Sequence, residues 1–249
     1  MLVREGDERS PTMDLWLAGS LAAVAGAMNA AAFYAVGFFS ANMTGNVSIL
    51  SDNLALERWA SALFYLAVLL AFVLGATGAA ALIDAGRRRR TRRIYAYGIL
   101  LEAILLTGVG SADLWLMSNP RTVVVVLGLA FTMGFQNAIG TRISDARVRT
   151  THISGLVTDI GIELAATLHT LLRSKGSGTV HDLGKLRLQL CTVLSFLIGG
   201  VGGVVLYRDI GGYLMILAAI VLVAIAVSAI AQARRLDLNS ALALSGRRG

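Results

Sequence analysis

The stretch that decides the fold is residues 153–172, ISGLVTDIGIELAATLHTLL. About 20 apolar residues suffice for a helix to cross a hydrocarbon core of roughly 30 Å. This stretch is long enough, yet it carries Asp159, Glu163 and His169. If it crosses, everything after it inverts. The basic residues arbitrate, because Lys and Arg collect on the cytoplasmic side of a membrane protein. Suppose that neither 153–172 nor the short polar segment 42–56 crosses. Stretches 1–13, 86–93, 141–187 and 234–249 then share one side and hold 19 of the 22 Lys and Arg. If 153–172 does cross, the split falls to 12 against 10. The segment is therefore expected to enter and leave on the cytoplasmic side. Charge barely tests 42–56, where moving the segment changes the split only to 17 against 5. Its shortness and its Asn42, Thr44, Asn46, Asp52 and Asn53 argue that it does not cross either.

Working outward, six apolar blocks remain as spans: about 14–37, 60–83, 94–114, 122–140, 188–207 and 212–231. They are too long for strands and lack a period of two. The chain of 249 residues is 56% hydrophobic and 15% charged, with mean hydropathy +0.70, which leaves too few charges to cover a soluble domain. The expected class is an all-α integral membrane protein. A polar tail, 1–12, leads into a single membrane domain, 13–233, and a basic tail follows at 234–249. The tail 1–12 lacks the basic start of a signal peptide, so the first span is read as retained. The net charge of +7 does not point to nucleic acid, since the arginines sit between apolar blocks. Arg87-Arg88-Arg89-Arg90, with Arg92 and Arg93, reads as a topology anchor against anionic headgroups.

The chain also repeats itself. Gly26-Ala27-Met28-Asn29-Ala30 matches Gly134-Phe135-Gln136-Asn137-Ala138. Thr44-Gly45-Asn46 follows the first motif and Ser154-Gly155 the second, each ahead of a short polar helix and two long spans. Repeat one is 13–115 and repeat two 121–232. Each has three spans, so the second must lie upside down relative to the first. Inverted repeats of this kind place sites near the midplane, where broken helices meet. Segments 42–56 and 153–172 are then expected to be re-entrant or interfacial helices dipping in from opposite leaflets.

The runs GAMNAAAFYAVGFFSANMTGNVSIL (26–50) and GFQNAIGTRISDARVRTTHISGLVTDIGIELA (134–165) resemble the YoaK family, bacterial polytopic membrane proteins with a domain of unknown function. The likeness extends over nearly all of 13–231. It implies a multi-pass protein of the bacterial inner membrane and implies no activity. Many relatives in that family carry Asp at the position of Asn29; the Asn here cannot hold a proton.

Candidate binding residues follow from the repeat: Asn29, Asn42, Thr44, Gly45, Asn46, Gln136, Asn137, Ser154 and Gly155. Amides inside spans need partners and either bind a ligand or tie helices together. Thr44 and Ser154 suit helix N-caps, whose free N–H groups favour an anion or polar solute. Glu102 falls about 12 Å into its span and is a proton or ion candidate by position. His152, Asp159 and Glu163 share a helical face and suit either a proton or ion path or a solvated stripe. Nothing matches a hydrolase, zinc, phosphate-loop or dithiol motif, and Cys191 is alone. The run Gly199-Gly200-Val201-Gly202-Gly203 lies inside a span and reads as helix packing. No catalytic residue, metal or cofactor is expected. The expected role is transporter or channel for a small polar or anionic solute. A non-catalytic scaffold or lipid-binding protein is the alternative, and an intramembrane enzyme a weaker one. A homo-oligomer remains open. Both termini are expected in the cytoplasm.

Overall fold

A computed structural model describes residues 2, 5–89, 91, 93–116, 118–172 and 183–245. Eight α-helices follow a short 3-10 turn at Gly6–Glu8. They are α1 (Pro11–Val36), α2 (Met43–Ala55), α3 (Trp59–Arg88), α4 (Ile94–Trp115), α5 (Ser118–Ile143), α6 (Ile153–Leu172), α7 (Leu183–Ile210) and α8 (Tyr213–Ser245). No strand occurs among the described residues. Six helices are long and apolar enough to cross a membrane: α1, α3, α4, α5, α7 and α8. α6 is not among them, although it has 20 residues.

Each expected span is present, and most run on past the apolar block. α3 continues to Arg88, α7 starts at Leu183 and α8 continues to Ser245, into the stretch read as a tail. Polar and charged residues stay helical at a span's ends, where hydropathy no longer marks them. Arg90 and Arg92 of the basic loop, residues 246–249 and the side chain of His169 lie outside the described residues.

The outside of the bundle is apolar. Leu63, Leu70, Leu74, Leu194, Leu197, Ile198 and Ile220 are all more than half exposed, an apolar exterior that suits lipid. Trp16, Trp59 and Trp115 are exposed within a turn or two of helix ends, where indoles favour the membrane interface.

Side-chain contacts fix the helix directions. Asp14 and Leu21 of α1 meet Arg147 and Gln136, so α1 and α5 are antiparallel. Gly98 of α4 faces Ile139 and Gly128 of α5 faces Val109, so α4 opposes α5. α3 ends where α4 begins, with Gly86 against Ile94, and so runs with α5. Gly19 beside Cys191 and Ser195, and Gly203 against Ala27, set α7 parallel to α1. The face that holds the start of α1 is called the first face here, and the opposite one the second. α1 ends at the second face and α3 begins there; α5 ends at the first face and α7 begins there. α2 and α6 therefore connect spans without adding a crossing.

The closest helix contacts come in matched sets. A Cβ on Gly26 of α1 would overlap the Phe196 carbonyl of α7, and one on Gly199 of α7 would overlap the Ala23 carbonyl. α3 and α5 repeat this: Gly134 lies against the Phe72 carbonyl and Gly75 against the Phe131 carbonyl. Gly26 and Gly134 hold equivalent places in the two sequence motifs. α4 packs on α8 at Gly110 and Gly212, each against the other's backbone oxygen.

Candidate functional site

A cavity of about 650 Å³ opens at the first face between α1, α6, α7 and the α5–α6 loop. That loop turns through two consecutive left-handed residues, Asp145 (φ 51) and Ala146 (φ 62). Each non-glycine residue held there costs about 1–2 kcal/mol. The turn aims the following residues back over the start of α1. Arg147 donates to Asp14 Oδ2 at 3.1 Å and also to the Gly6 carbonyl. Arg9 donates to Asp14 Oδ1 at 2.5 Å. Asp14 is buried in the first turn of α1, where the helix dipole favours a carboxylate, and it accepts from both guanidiniums.

The opposite wall belongs to α6 and α7. Asp159 of α6 accepts from the Gln189 amide of α7 at 3.1 Å. Gln189 is 4% exposed, and its Oε1 has no hydrogen-bond partner. Glu163, one turn beyond Asp159, pairs with Lys185 at 3.3 Å. Four cations (Arg9, Arg147, Arg149, Lys185) line the cavity against two carboxylates (Asp14, Asp159). His152 also lines it, its ring over Gly155, where a Cβ would collide with the imidazole.

The second face carries a side-chain network across three spans. Asp113 of α4 pairs with Arg121 of α5 at 2.9 Å and accepts from the Tyr207 hydroxyl of α7 at 2.7 Å. Arg121 donates to the same hydroxyl at 2.8 Å, and Tyr34 of α1 meets Tyr207 edge to face. Beside α2, Phe38 packs against Phe64 and Tyr65 of α3 with ring centroids 5.1 and 5.4 Å away.

The expected site residues divide between these regions. Asn29 accepts from the Ala41 backbone N–H at 2.8 Å. Asn137 accepts from the Thr150 and Thr151 hydroxyls at 3.2 and 2.9 Å. Each ties its span to the loop that precedes a short helix. The two lie toward opposite faces and do not meet. The N-cap of α2 is Asn42, which accepts from Gly45 N at 3.1 Å; Thr44 lies inside the first turn, and so does Ser154 in α6. The hydroxyl caps read from sequence are thus displaced by two residues, because the helices begin at Met43 and Ile153. Asn46 is buried and donates to the Phe39 carbonyl at 3.3 Å. Gln136, fully buried, donates to the Leu21 carbonyl at 3.4 Å. Glu102 is fully buried with neither oxygen partnered, away from the cavity. Of the expected residues, only His152, Gly155 and Asp159 line the cavity. Among the described residues no cluster could hold a metal ion. Sequence reading missed Arg9, Asp14 and Gln189 altogether, since no local pattern links them, and Arg147 suggested itself only as a neutraliser of the acids on 153–172. Asp113 and Arg121, close together at the ends of consecutive spans, were the one legible hint of the second-face network.

A family described as "Protein of unknown function (DUF1275)" matches residues 17–228. The chain belongs to the DUF1275 family. The YoaK family named from the two motif runs falls within DUF1275, so that resemblance holds. No curated protein and no solved structure matches this DUF1275 chain. The matched region covers all of α2 to α7 and most of α1, and with them every cavity-lining residue except Arg9, Pro11 and Asp14. The membrane character of this DUF1275 protein rests on its six apolar helices.

Proposed function

We propose that the protein moves a small polar solute across a bacterial inner membrane without altering it. Its halves form an inverted repeat, and α2 and α6 are re-entrant helices. The matched glycine crossings support the repeat: exchanging α1 with α5 and α3 with α7 turns one set of contacts into the other. The loop contacts support the dips. Asn29 lies seven residues before the end of α1, so the chain returns about 10 Å before α2 starts. Asn137 lies six residues before the end of α5, which gives about 9 Å for α6. Irregular backbone at such depth persists only when buried in protein or lining a wet cavity. Among the described residues the Lys and Arg gather at the first-face ends of the spans, Arg58, Arg121 and Arg208 excepted, which supports assigning that face and both termini to the cytoplasm.

One observation carries the transport reading: the two ends of a symmetric frame are in different states. In the spacing set by Phe72 and Phe196, Leu188 and Gln189 of the open cavity correspond to Phe64 and Tyr65. At the second face Phe38 fills the equivalent space against those two rings. An inverted repeat open at one side and plugged at the other suits a carrier resting inward-open. The test is stopped-flow light scattering of proteoliposomes challenged with lactate, serine and glycerol. Uptake of at least one solute should exceed that of protein-free vesicles. The double variant Leu188→Phe with Gln189→Tyr, which copies the plug onto the first face, should abolish it. No uptake of any of the three would remove the proposal.

A second reading has its own observation. The middle of the bundle, around Met28, Ile99, Met133 and Leu222, is fully buried. A dry centre suits a non-catalytic scaffold or lipid-binding protein, which the absence of flux would favour.

A further inference from the structure

We infer that the corner between α1, α4 and α5 binds a proton on Glu102, whose O–H donates to the side-chain oxygen of Gln136, and that solute movement is coupled to its release. The coupling rests on the transport reading, whereas the proton site stands without it.

Helix register brings the two residues together. Gly98 and Val109 of α4 face Ile139 and Gly128 of α5. Glu102 lies four residues after Gly98 and seven before Val109, on the same face of the helix. The same steps taken back from Ile139 and forward from Gly128 both reach Phe135, so Glu102 is level with Phe135 and Gln136. Running round α4 from the α3 contact at Ile94 to the α8 contact at Gly110, Glu102 comes just after the two residues that face α5. It is thus turned away from α3. Gln136 is nearly opposite Gly134, the residue that α5 sets against α3, and its Nε2 donates to the Leu21 carbonyl of α1 at 3.4 Å. Both side chains enter the same corner.

That corner lacks a hydrogen. Glu102 and Gln136 are fully buried, and among the described residues both Glu102 oxygens and Gln136 Oε1 have no partner. Among the described residues Arg9 is the one buried cation, and Asp14 engages it at the first face. Leu21 of α1, Thr132 and Phe135 of α5 and Leu222 of α8, buried at this depth, carry no charge and do not titrate. A carboxylate without a counter-charge in such a place is neutralised instead. Hard metal ions take about six or more oxygens, and the corner offers three. A proton needs only one oxygen to hold it and one to receive the O–H. The site is kept against stability, because the same carboxyl ionises freely in the unfolded chain at neutral pH.

The Gln136–Leu21 contact joins the α3–α5 pair to the α1–α7 pair. Movement of one pair against the other changes what Gln136 offers to Glu102 and admits water to the corner. The carboxyl O–H bond then breaks, its proton passes to that water, and the carboxylate left behind takes up another before the corner closes. Carboxyls inside a bundle serve pumps and transporters in this way.

The full chain is purified in an uncharged detergent at neutral pH, and its infrared spectrum is compared with that of Glu102→Gln. The wild type should show a protonated carboxyl C=O band that the variant lacks. The variant sets an N–H where the O–H stands and should fold as the wild type does. Gln136→Met removes the acceptor and should move the band to higher frequency without abolishing it. Glu102→Asp keeps the acid on a shorter arm and should show the same upward shift. If Glu102→Gln loses no acid band, or if the band stays in place in both Gln136→Met and Glu102→Asp, the inference is overturned. Proteoliposomes enclosing a pH-sensitive dye are then given serine or glycerol without a pH gradient. Uptake by the wild type should change the internal pH, and Glu102→Gln should abolish that change. Uptake by the wild type with no pH change overturns the coupling and keeps the transport reading. The acid band without uptake of either solute supports the proton site and removes the transport reading together with the coupling.

Discussion

Replacing Gly26 or Gly134 with Ala should separate two helices that nothing else holds apart. An added methyl at Gly26 overlaps the Phe196 carbonyl, and one at Gly134 the Phe72 carbonyl. Backbone oxygens cannot rotate aside, so the helices must part by more than about 1 Å to restore van der Waals contact. A crossing of roughly 30 atom pairs, each worth about 0.15 kcal/mol and losing about 0.4 of its well, forfeits about 2 kcal/mol. That falls within the usual cost of overpacking, about 1–3 kcal/mol. Gly75→Ala and Gly199→Ala should cost a similar amount, for the same reason. Gly108, Gly161 and Gly202 are helical, and a Cβ on them would meet nothing within 4 Å. Alanine there should be neutral or should stabilise by up to about 1 kcal/mol through helix propensity. The assay is reversible unfolding of the seven variants in mixed micelles with increasing SDS. The contrast within the run at 199–203 is the sharpest, because Gly199 and Gly202 are three residues apart with opposite expected signs. If the four crossing glycines tolerate alanine as well as the three open ones do, the helix pairing described here is wrong.

Three further expectations concern the charges. Asp14→Ala removes the carboxylate paired with Arg9, whose side chain is fully buried, and should cost about 3–5 kcal/mol in the same unfolding assay. Tyr207→Phe removes a donor to Asp113 and an acceptor for Arg121; a loss of about 1.5–3 kcal/mol is expected, and a change under 0.5 would show that the network is dispensable. Glu102→Met replaces an unpartnered buried carboxyl with an apolar chain of similar size and should stabilise the protein by about 1–3 kcal/mol, read as a higher melting temperature in detergent. A lower melting temperature would mean that the carboxyl has a partner in solution.

The spans were legible because a membrane core demands a long uninterrupted apolar run, and among the described residues six helices meet that demand. Segment 153–172 was read as not crossing from the sorting of basic residues, and its helix α6 is not among those apolar enough to cross. Helix ends were less legible, since Arg87, Arg88 and Lys185 continue helices past the apolar blocks. The polar motifs were found, but the partners of their amides were not. Asn29 and Asn137 stand out in sequence because amides are rare in spans, yet each is spent on its own loop. The cavity was mostly hidden. His152 and Asp159 declare themselves by helical spacing. Asp14 and Arg147, by contrast, are 133 residues apart, and Gln189 reads as one polar residue at the start of an apolar helix.

The two glycine crossings have a consequence for how the chain is made. α3 can meet α5 once synthesis has passed Ile143, but α1 has no partner for its own glycine face until Ile210 has emerged. At about 5–20 residues per second, those 67 residues take roughly 3–13 seconds. During that interval the first helix to be inserted presents Gly19 and Gly26 to lipid, while the helices made after it are already joining. Assembly therefore closes on its oldest member last, and a nascent chain stalled before α7 should leave α1 open to attachment by whatever insertion machinery or neighbouring small-residue helix is at hand.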